Sequence, residues 1–440
     1  MGTEQRSWNT AAALTEDGER GAPASAVRGE EEEEDEAEHV ADAVAGSSEV
    51  PTSSISIETS LPQEHMKPGI VELCKDLFNK WSSLDDTNFL IEKVSGGITN
   101  LLLKVSVRED KETTCLTVRL YGPNTDIVIN RERELKAIRY LSAAGFGAKL
   151  LGIFGNGMVQ SFIEARTLSP EDMSKPQLVA KIARELRKFH QVVISGSKEP
   201  QLWNDICKFL DKAVSLKFSD NVKQEKFETI SFEEIHGEIA KLKDLTERLN
   251  APVVFCHNDL LSGNLMLSED EEKLYLIDFE YGSYNYRGYD IGNHFNEFAG
   301  LECDYSLYPD KDVQYLFFKN YLQFDKAEVS DEDLEALYVE TNTFMLASHI
   351  YWAIWALIQA YASPIEFDYL GYFFLRFDEY KKQRDSASPW LGDICQPGGD
   401  AVDPSSCLPI DALSLLSLSR SLDFGPCVCF HPSRLQMPIQ

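Results

Sequence analysis

Basic side chains are scarce in this chain. Its 440 residues carry 42 Lys and Arg against 72 Asp and Glu, a formal charge of -30. Neutralising phosphates needs clustered cations, so a general nucleic-acid binder is excluded, and so is docking on anionic membranes by charge. Cysteine is sparse too. Nine residues with no secretory signal ahead of them do not read as a secreted disulfide framework, and they favour a reducing, cytoplasmic setting. The start lacks an N-myristoylation pattern, because position 6 is Arg6 rather than Ser or Thr, and its acidity excludes an ordinary transit peptide. Long uncharged runs are nearly missing. The exception, Thr343 to Ala362, holds Ser348, His349 and Gln359 and is flanked by Glu340 and Glu366 without a basic anchor. It is long enough to span a bilayer, but those flanks favour a buried helix and no transmembrane span.

What is present is enough apolar material for a core, 43% hydrophobic and 11% aromatic residues. The charge is unevenly spread. Residues 1–66 hold 16 acids and three bases, including the run Glu30 to Glu36, without apolar periodicity; they are expected to form a disordered acidic tail. Residues 391–440 carry Cys395, Cys407, Cys427 and Cys429, yet a C-x-C pair with His431 alone does not complete a zinc site. That stretch is expected to be a second disordered tail that the chemistry does not use. The intervening 67–390 carries a net charge of -14 and has a globular composition.

Inside that block the pattern changes once. Strand-like runs at Phe89–Val94, Leu101–Val107 and Cys115–Tyr121 precede an amphipathic helix from Ile127 to Ala144. Two short strands follow, Leu150–Phe154 and Met158–Phe162. Beyond them helical patterns dominate at 176–193, 203–214, 231–249 and 331–362, interrupted by a strand–loop–strand insert from Val253 to Asp278. A small sheet lobe (67–163) and a large helical lobe (164–390) outline an α+β, two-lobed nucleotide phosphotransferase.

Two motifs carry the chemistry. His257-Asn258-Asp259-Leu260-Leu261-Ser262-Gly263-Asn264 is an H-x-D-x-x-x-x-N. Phosphoryl transfer needs an acidic residue to orient the acceptor hydroxyl and an amide or carboxylate on the metal; Asp259 and Asn264 suit those roles. Fourteen residues on, the apolar run ending Ile277-Asp278-Phe279-Glu280-Tyr281 supplies Asp278 to bridge Mg²⁺ to the phosphates, with Glu280 for a second ion. In the small lobe, Ser95-Gly96-Gly97-Ile98-Thr99-Asn100 lies between two strands. Its amides and hydroxyls could cover phosphates, though it is not a G-x-G-x-x-G and reads equally as a hairpin turn. Arg119 is a charge within an apolar strand; it is either buried and paired, with Glu134 as the candidate partner, or at a solvent edge.

These residues resemble the choline and ethanolamine kinases, relatives of the aminoglycoside phosphotransferases and, more distantly, of protein kinases. The resemblance runs from about residue 70 to 385 on VRLYG at 118–122, HNDLLSGN at 257–264, IDFEY at 277–281, YDIGNHFNEF at 289–298, and WAIW followed by IEFDYLGY. DFE at 278–280, where protein kinases have DFG, and the lack of an A-P-E segment disfavour a protein kinase. The resemblance implies a two-lobed protein-kinase-like fold and ATP with Mg²⁺. It makes Asp259 the catalytic base and Asn264, Asp278 and Glu280 the magnesium group. It sets Ser95, Gly97, Thr99, Asn100 and Arg119 (paired with Glu134) at the nucleotide phosphates, and Phe162 and Ile163 near the adenine. Leu261 departs from the pattern, since choline kinases often have Gln there.

For the acceptor, the resemblance points to Glu297, Trp352, Trp355, Asp368 and Tyr372. Trp352 and Trp355, three apart, share one helix face. By spacing alone they read as core; beside a carboxylate they suit an ammonium head. NHFNEFAG, DYSLYPD at 304–310 and RLYGPNTDIVINRERE look like ethanolamine kinases, and a primary ammonium wants oxygen acceptors where a trimethylammonium wants an aromatic cage. Phosphorylation of ethanolamine by a monomer or homodimer is therefore expected. A choline or dual-specificity kinase, or a catalytically silent relative, are the alternatives.

Overall fold

In the first third of the chain apolar residues fall on alternate positions, so each strand buries one side. β1 (Phe89–Lys93), β2 (Asn100–Glu109) and β3 (Glu112–Tyr121) pair antiparallel in sequence order. β2 buries Leu103, Val105 and Val107, and β3 buries Leu116, Val118 and Leu120. β4 (Leu150–Phe154) and β5 (Gly157–Ser161) complete a five-stranded sheet ordered β1-β2-β3-β5-β4. These are features of a computed structural model, which describes residues 50–94, 100–110 and 112–394, with side chains to 386. The loop residues Ser95, Gly97 and Thr99, expected over the phosphates, lie outside the described residues.

Two helices serve the sheet. α1 (Gln63–Leu77) packs Ile70, Leu73, Cys74 and Leu77 against Trp81, Val105 and Val118. α2 (Arg131–Ala143) starts four residues later than the periodicity suggested, because the Asn130 side chain accepts from the Arg133 amide and caps it there. Its buried face contributes Ala137, Ile138 and Leu141 to the second core cluster.

The disorder expected through residue 66 does not hold for residues 50–66. Residues 51–57 lie along β4 and its turn: the Ser53 amide donates to the Ile153 carbonyl at 2.9 Å, the Ile153 amide to the Pro51 carbonyl at 2.9 Å, and the Gly155 amide to the Ile55 carbonyl at 2.9 Å. Ile57 is buried, and the Asn156 amide clasps its backbone in both directions, at 2.9 and 2.8 Å. A side chain at Gly155 would place its Cβ 2.2 Å from Ser56 Oγ, so the strap fits only over glycine. The boundary at residue 66 fails because Ile55 and Ile57 are too few apolar residues to show a period. The other boundary moves as well, since the last helix continues to Ile394.

The second lobe holds β6 (Arg166–Thr167), α3 (Pro170–Met173), α4 (Pro176–Phe189), α5 (Leu202–Val214), α6 (Asn221–Glu228) and α7 (Phe232–Glu247). Then come β7 (Val253–Cys256), β8 (Leu265–Leu267), β9 (Leu274–Leu276), β10 (Ser283–Tyr286), α8 (Arg287–Asn296), α9 (Lys311–Leu322), α10 (Asp331–Ala362) and α11 (Tyr369–Ile394). The Ser330–Asp333 capping box starts α10, which is long and apolar enough to cross a membrane. Instead, 94% of its most apolar window is buried inside the protein, as the polar insertions suggested. α8 lies hard against it, since a Cβ at Gly292 would sit 2.7 Å from the Thr341 carbonyl. Residues up to Tyr380 form one compact unit; Lys381 begins a second, described only to Ile394. Among the described residues Cys74, Cys115, Cys256 and Cys303 form no disulfide.

Removing residues 1–62 should lower unfolding stability by about 1–3 kcal/mol relative to a chain starting at residue 50, the worth of one buried isoleucine and its hydrogen bonds less ordering. Urea unfolding of the two truncations checks this; equal midpoints would show that the strap contributes nothing.

Candidate active site

β7 delivers the chain to a loop that its own residues cannot hold. Asn258 adopts φ 64°, a left-handed conformation favoured by few residues. Its amide donates to the Tyr281 carbonyl and to Ser283 Oγ, both at 2.9 Å, and its Oδ1 accepts from Asn285. Asp290, on α8, accepts from the His257 amide at 2.8 Å and the Asn258 amide at 2.7 Å. His190 Nε2 meets the same carboxylate at 2.9 Å, and its Nδ1 meets the Tyr321 hydroxyl at 2.6 Å. Burial alone would raise the Asp290 pKa, but these donors outweigh it and hold the group ionised. Burial pushes His190 down, so it serves as a neutral donor. Asp290 thus braces the loop and does not line the cavity. His257 Nε2 lies 2.9 Å from the Ile277 carbonyl and ties the loop to the residue before Asp278.

The loop then presents Asp259. Asn264 Nδ2 donates to the Asp259 carbonyl at 2.8 Å and to its Oδ2 at 3.1 Å, which leaves Oδ1 of Asn264 as a ligand atom. Asp278, at φ 65°, turns its carboxylate to the same space. Arg119 is buried, not at a solvent edge, and its Nη2 reaches Asp278 Oδ1 at 2.7 Å, Glu280 Oε2 at 2.9 Å and Glu134 Oε1 at 3.1 Å. The Glu134 pair expected from the sequence is there, but the guanidinium also spans both carboxylates of the IDFEY motif. Burial opposes its charge, and Asp278, Glu134 and Glu280 together more than restore it. Arg131 completes the cluster, 2.7 Å from Glu134 Oε2 and 3.7 Å from Glu280 Oε2. Asn100 donates to Glu280 Oε2 at 2.9 Å. Asn100 and Glu134 therefore hold the site from behind and do not line the cavity.

A single cavity of about 610 Å³ joins these groups to the helical lobe. Arg119, Phe162 and Ile163 line it near the connector, with Asn264, Asp278 and Glu280; Asp259 sits between them and Glu297, Trp352, Trp355 and Tyr372. Trp352 Nε1 donates to Asn293 Oδ1 at 2.7 Å and Trp355 Nε1 to the Tyr281 hydroxyl at 2.8 Å, so both rings are fixed. Tyr369 and Phe367 also line this end, making it more aromatic than the motif implied. Asp368 is a correction. Its carboxylate is 75% exposed, takes the Gly371 amide at 2.8 Å as the cap of α11, and is not among the lining residues. An Asp just before a helix is first a cap.

Local spacing did not reveal Arg131, His190, Asn293 or Arg376. Each acts through partners far along the chain; local signals come from Arg131, three residues before Glu134, and from Arg376, four residues after Tyr372.

The charges are not all compensated. Asp259 is pushed well above the usual carboxylate range by burial first and then by Glu297, Asp278 and Glu280. Glu297 is raised by burial, with Arg376 opposing. The donor set of Asn264, Asp278 and Glu280 is all oxygen, hard ligands of the kind Mg²⁺ takes. Both acidic side chains bond Arg119, but Glu280 is also held by Asn100 and is 4% exposed where Asp278 is 27% exposed, so Asn264 and Asp278 fit best.

Residues 91–381 match the family model described as choline/ethanolamine kinase. An Arabidopsis thaliana protein named "Probable ethanolamine kinase" is 67% identical over 345 residues, 78% of this chain and 92% of that one. A Dictyostelium discoideum protein named "Probable ethanolamine kinase A" is 38% identical over 330 residues, 74% and 94% of the two chains. Among solved structures, a Plasmodium vivax ethanolamine kinase aligns with a TM-score of 0.66 at 28% identity, covering 74% of this chain and 92% of that one.

Because the folded pKa of Asp259 is raised, ionising it costs folding energy above the unfolded value of about 3.9. Asp259→Asn should therefore melt at or above the wild-type temperature near neutral pH, with the advantage shrinking toward about pH 4. Thermal unfolding at both pH values checks this; a large loss of stability at neutral pH would refute the charge-crowding account.

Proposed function

The chain belongs to the choline/ethanolamine kinase family, and on that footing we propose that it phosphorylates the hydroxyl of ethanolamine with ATP, giving phosphoethanolamine and ADP. This is the entry step toward phosphatidylethanolamine. The observation that carries the reading is the shared cavity: Asn264, Asp278 and Asp259 line it together with Glu297, Trp352, Trp355 and Tyr372.

Asp259 aims the acceptor hydroxyl and takes its proton. Asn264, held by its own bonds to Asp259, keeps that carboxylate from turning away. Arg119 orients Asp278 and Glu280 and presents its charge at the phosphate end of the cavity. Phe162 and Ile163 supply the apolar wall for the adenine. Bound at Asn264 and Asp278, Mg²⁺ would neutralise the β- and γ-phosphates. Leu261 offers the cavity an alkyl group only, so no polar contact to the nucleotide comes from that position. Positioning and charge stabilisation account for most of the rate.

At the other end Glu297 and the hydroxyls of Tyr281 and Tyr372 supply oxygen acceptors for a primary ammonium, and the tryptophan rings supply faces for its charge. A second reading draws on the same wall. Trp352, Trp355, Phe367, Tyr369 and Tyr372 together line enough of the cavity to receive a methylated head group, which favours dual specificity over strict selection.

ADP release by the purified protein with ethanolamine, N-methylethanolamine and choline tests these readings. The expected order of kcat/KM is ethanolamine first and choline last, by about tenfold or more. Choline ahead of ethanolamine would overturn the substrate. ADP no higher than with Asp259→Ala, for every acceptor, would overturn phosphotransfer itself.

A further inference from the structure

One buried cation at the acceptor end has no part in the chemistry just described. The Arg376 side chain on α11 is 1% exposed and does not line the cavity. Its Nη1 donates to Glu297 Oε1 at 3.1 Å and to the Tyr372 hydroxyl at 3.0 Å, and its Nη2 to Ser348 Oγ at 3.0 Å. It therefore grips two wall residues at once. Ser348 Oγ donates in turn to Asn293 Oδ1 at 2.8 Å, which also accepts from Trp352 Nε1. Asn293 Nδ2 donates to the Asn258 carbonyl at 3.2 Å, one residue before the catalytic base. The chain of contacts runs from the acceptor wall to the loop that presents Asp259.

We propose that Arg376 is a positioning residue for the acceptor: it holds Glu297 ionised and oriented, so that Glu297 is a fixed counter-charge for a cationic amino alcohol. This rests on the ethanolamine reading of the cavity. The physical need is plain, since a buried carboxylate without a partner takes up a proton and gives up its charge. Groups facing the Glu297–Arg376 pair come from several elements. Asp259 on the catalytic loop adds like charge. Cys303 and Tyr305 follow in the next loop, Tyr372 shares α11 with Arg376, and His349 on α10 is held neutral by burial and by Arg376. Among these Arg376 carries the positive charge. It takes Oε1, so Oε2 is the atom Glu297 offers to an ammonium.

The test measures kcat, KM for ethanolamine and KM for ATP in the full chain across about pH 6 to 9, with thermal melts. Arg376→Met should raise KM for ethanolamine about tenfold near neutral pH, leave KM for ATP within about twofold, and move the acid limb of kcat/KM upward by about one unit. Arg376→Lys, which keeps the charge, should leave that limb near its wild-type position. Against a poorly folding Arg376→Met, the double variant Glu297→Gln/Arg376→Met removes both buried charges. It should melt closer to wild type and show no acceptor defect beyond that of Glu297→Gln alone. An unshifted acid limb in Arg376→Met, KM values for ATP and ethanolamine rising together, or additive defects in the double variant would overturn the proposal. A wild-type enzyme inactive on ethanolamine would fall on the functional reading first.

Discussion

Gathering carboxylates in one buried place is expensive, and the site is organised around how that cost is met. Glu134, Asp259, Glu280 and Glu297 are all buried at or behind one cavity, with Asp278 at its wall. Left uncompensated, such groups protonate or force the site open. At the proposed nucleotide end the compensation is Arg119, bridging three carboxylates, with Arg131 beside it. At the acceptor end it is Arg376 on Glu297. Asp259 stands between the two and, among the described residues, is met by the Asn264 amide alone.

The fold serves that arrangement. The register of β3 on β2 and β5 sets Arg119 opposite Leu102 and Met158, which buries its stem and turns its head toward the second lobe. α2 begins at the Asn130 cap, so Arg131 and Glu134 fall in its first turn beside Arg119. The glycine at 292 lets α8 approach α10, and α8 and α10 then carry Asn293, Ser348 and Trp352 into one hydrogen-bonded group. Arg119 and Arg376 thus reach carboxylates carried by other elements of the chain, while Arg131 meets Glu134 within α2.

This explains which parts of the site were legible in the sequence. Asp259, Asn264, Asp278 and Glu280 sit in two short motifs behind apolar strands, where spacing alone carries the chemistry. Trp352 and Trp355 were legible as one helix face, though spacing could not tell core from ligand wall; they are partly both, buried yet lining the cavity. What could not be read is whatever depends on folding distance. His190 reaches Asp290 across a hundred residues and Arg376 reaches Glu297 across seventy-nine. Asp368 misled for the reverse reason, because a carboxylate beside aromatics in sequence proved to be a helix cap in space. The strap at 51–57 escaped because backbone hydrogen bonds leave no trace in composition.

Asp290 and Asp259 show what this charge economy achieves. Both are aspartates, both are buried, and both belong to the same loop system, yet their environments push them in opposite directions. Asp290 receives two backbone amides and a neutral histidine, donors enough to keep it ionised without adding a cation to the core. Asp259 receives one amide and faces three other carboxylates, so its proton affinity is raised. A base held this way has a raised affinity for a proton delivered to it. The positive charge of an ammonium group arriving beside it would relieve the crowding that raised it. Substrate binding and tuning of the base are then one electrostatic event, and they require the cations on either flank to stay with their own carboxylates and not migrate to Asp259.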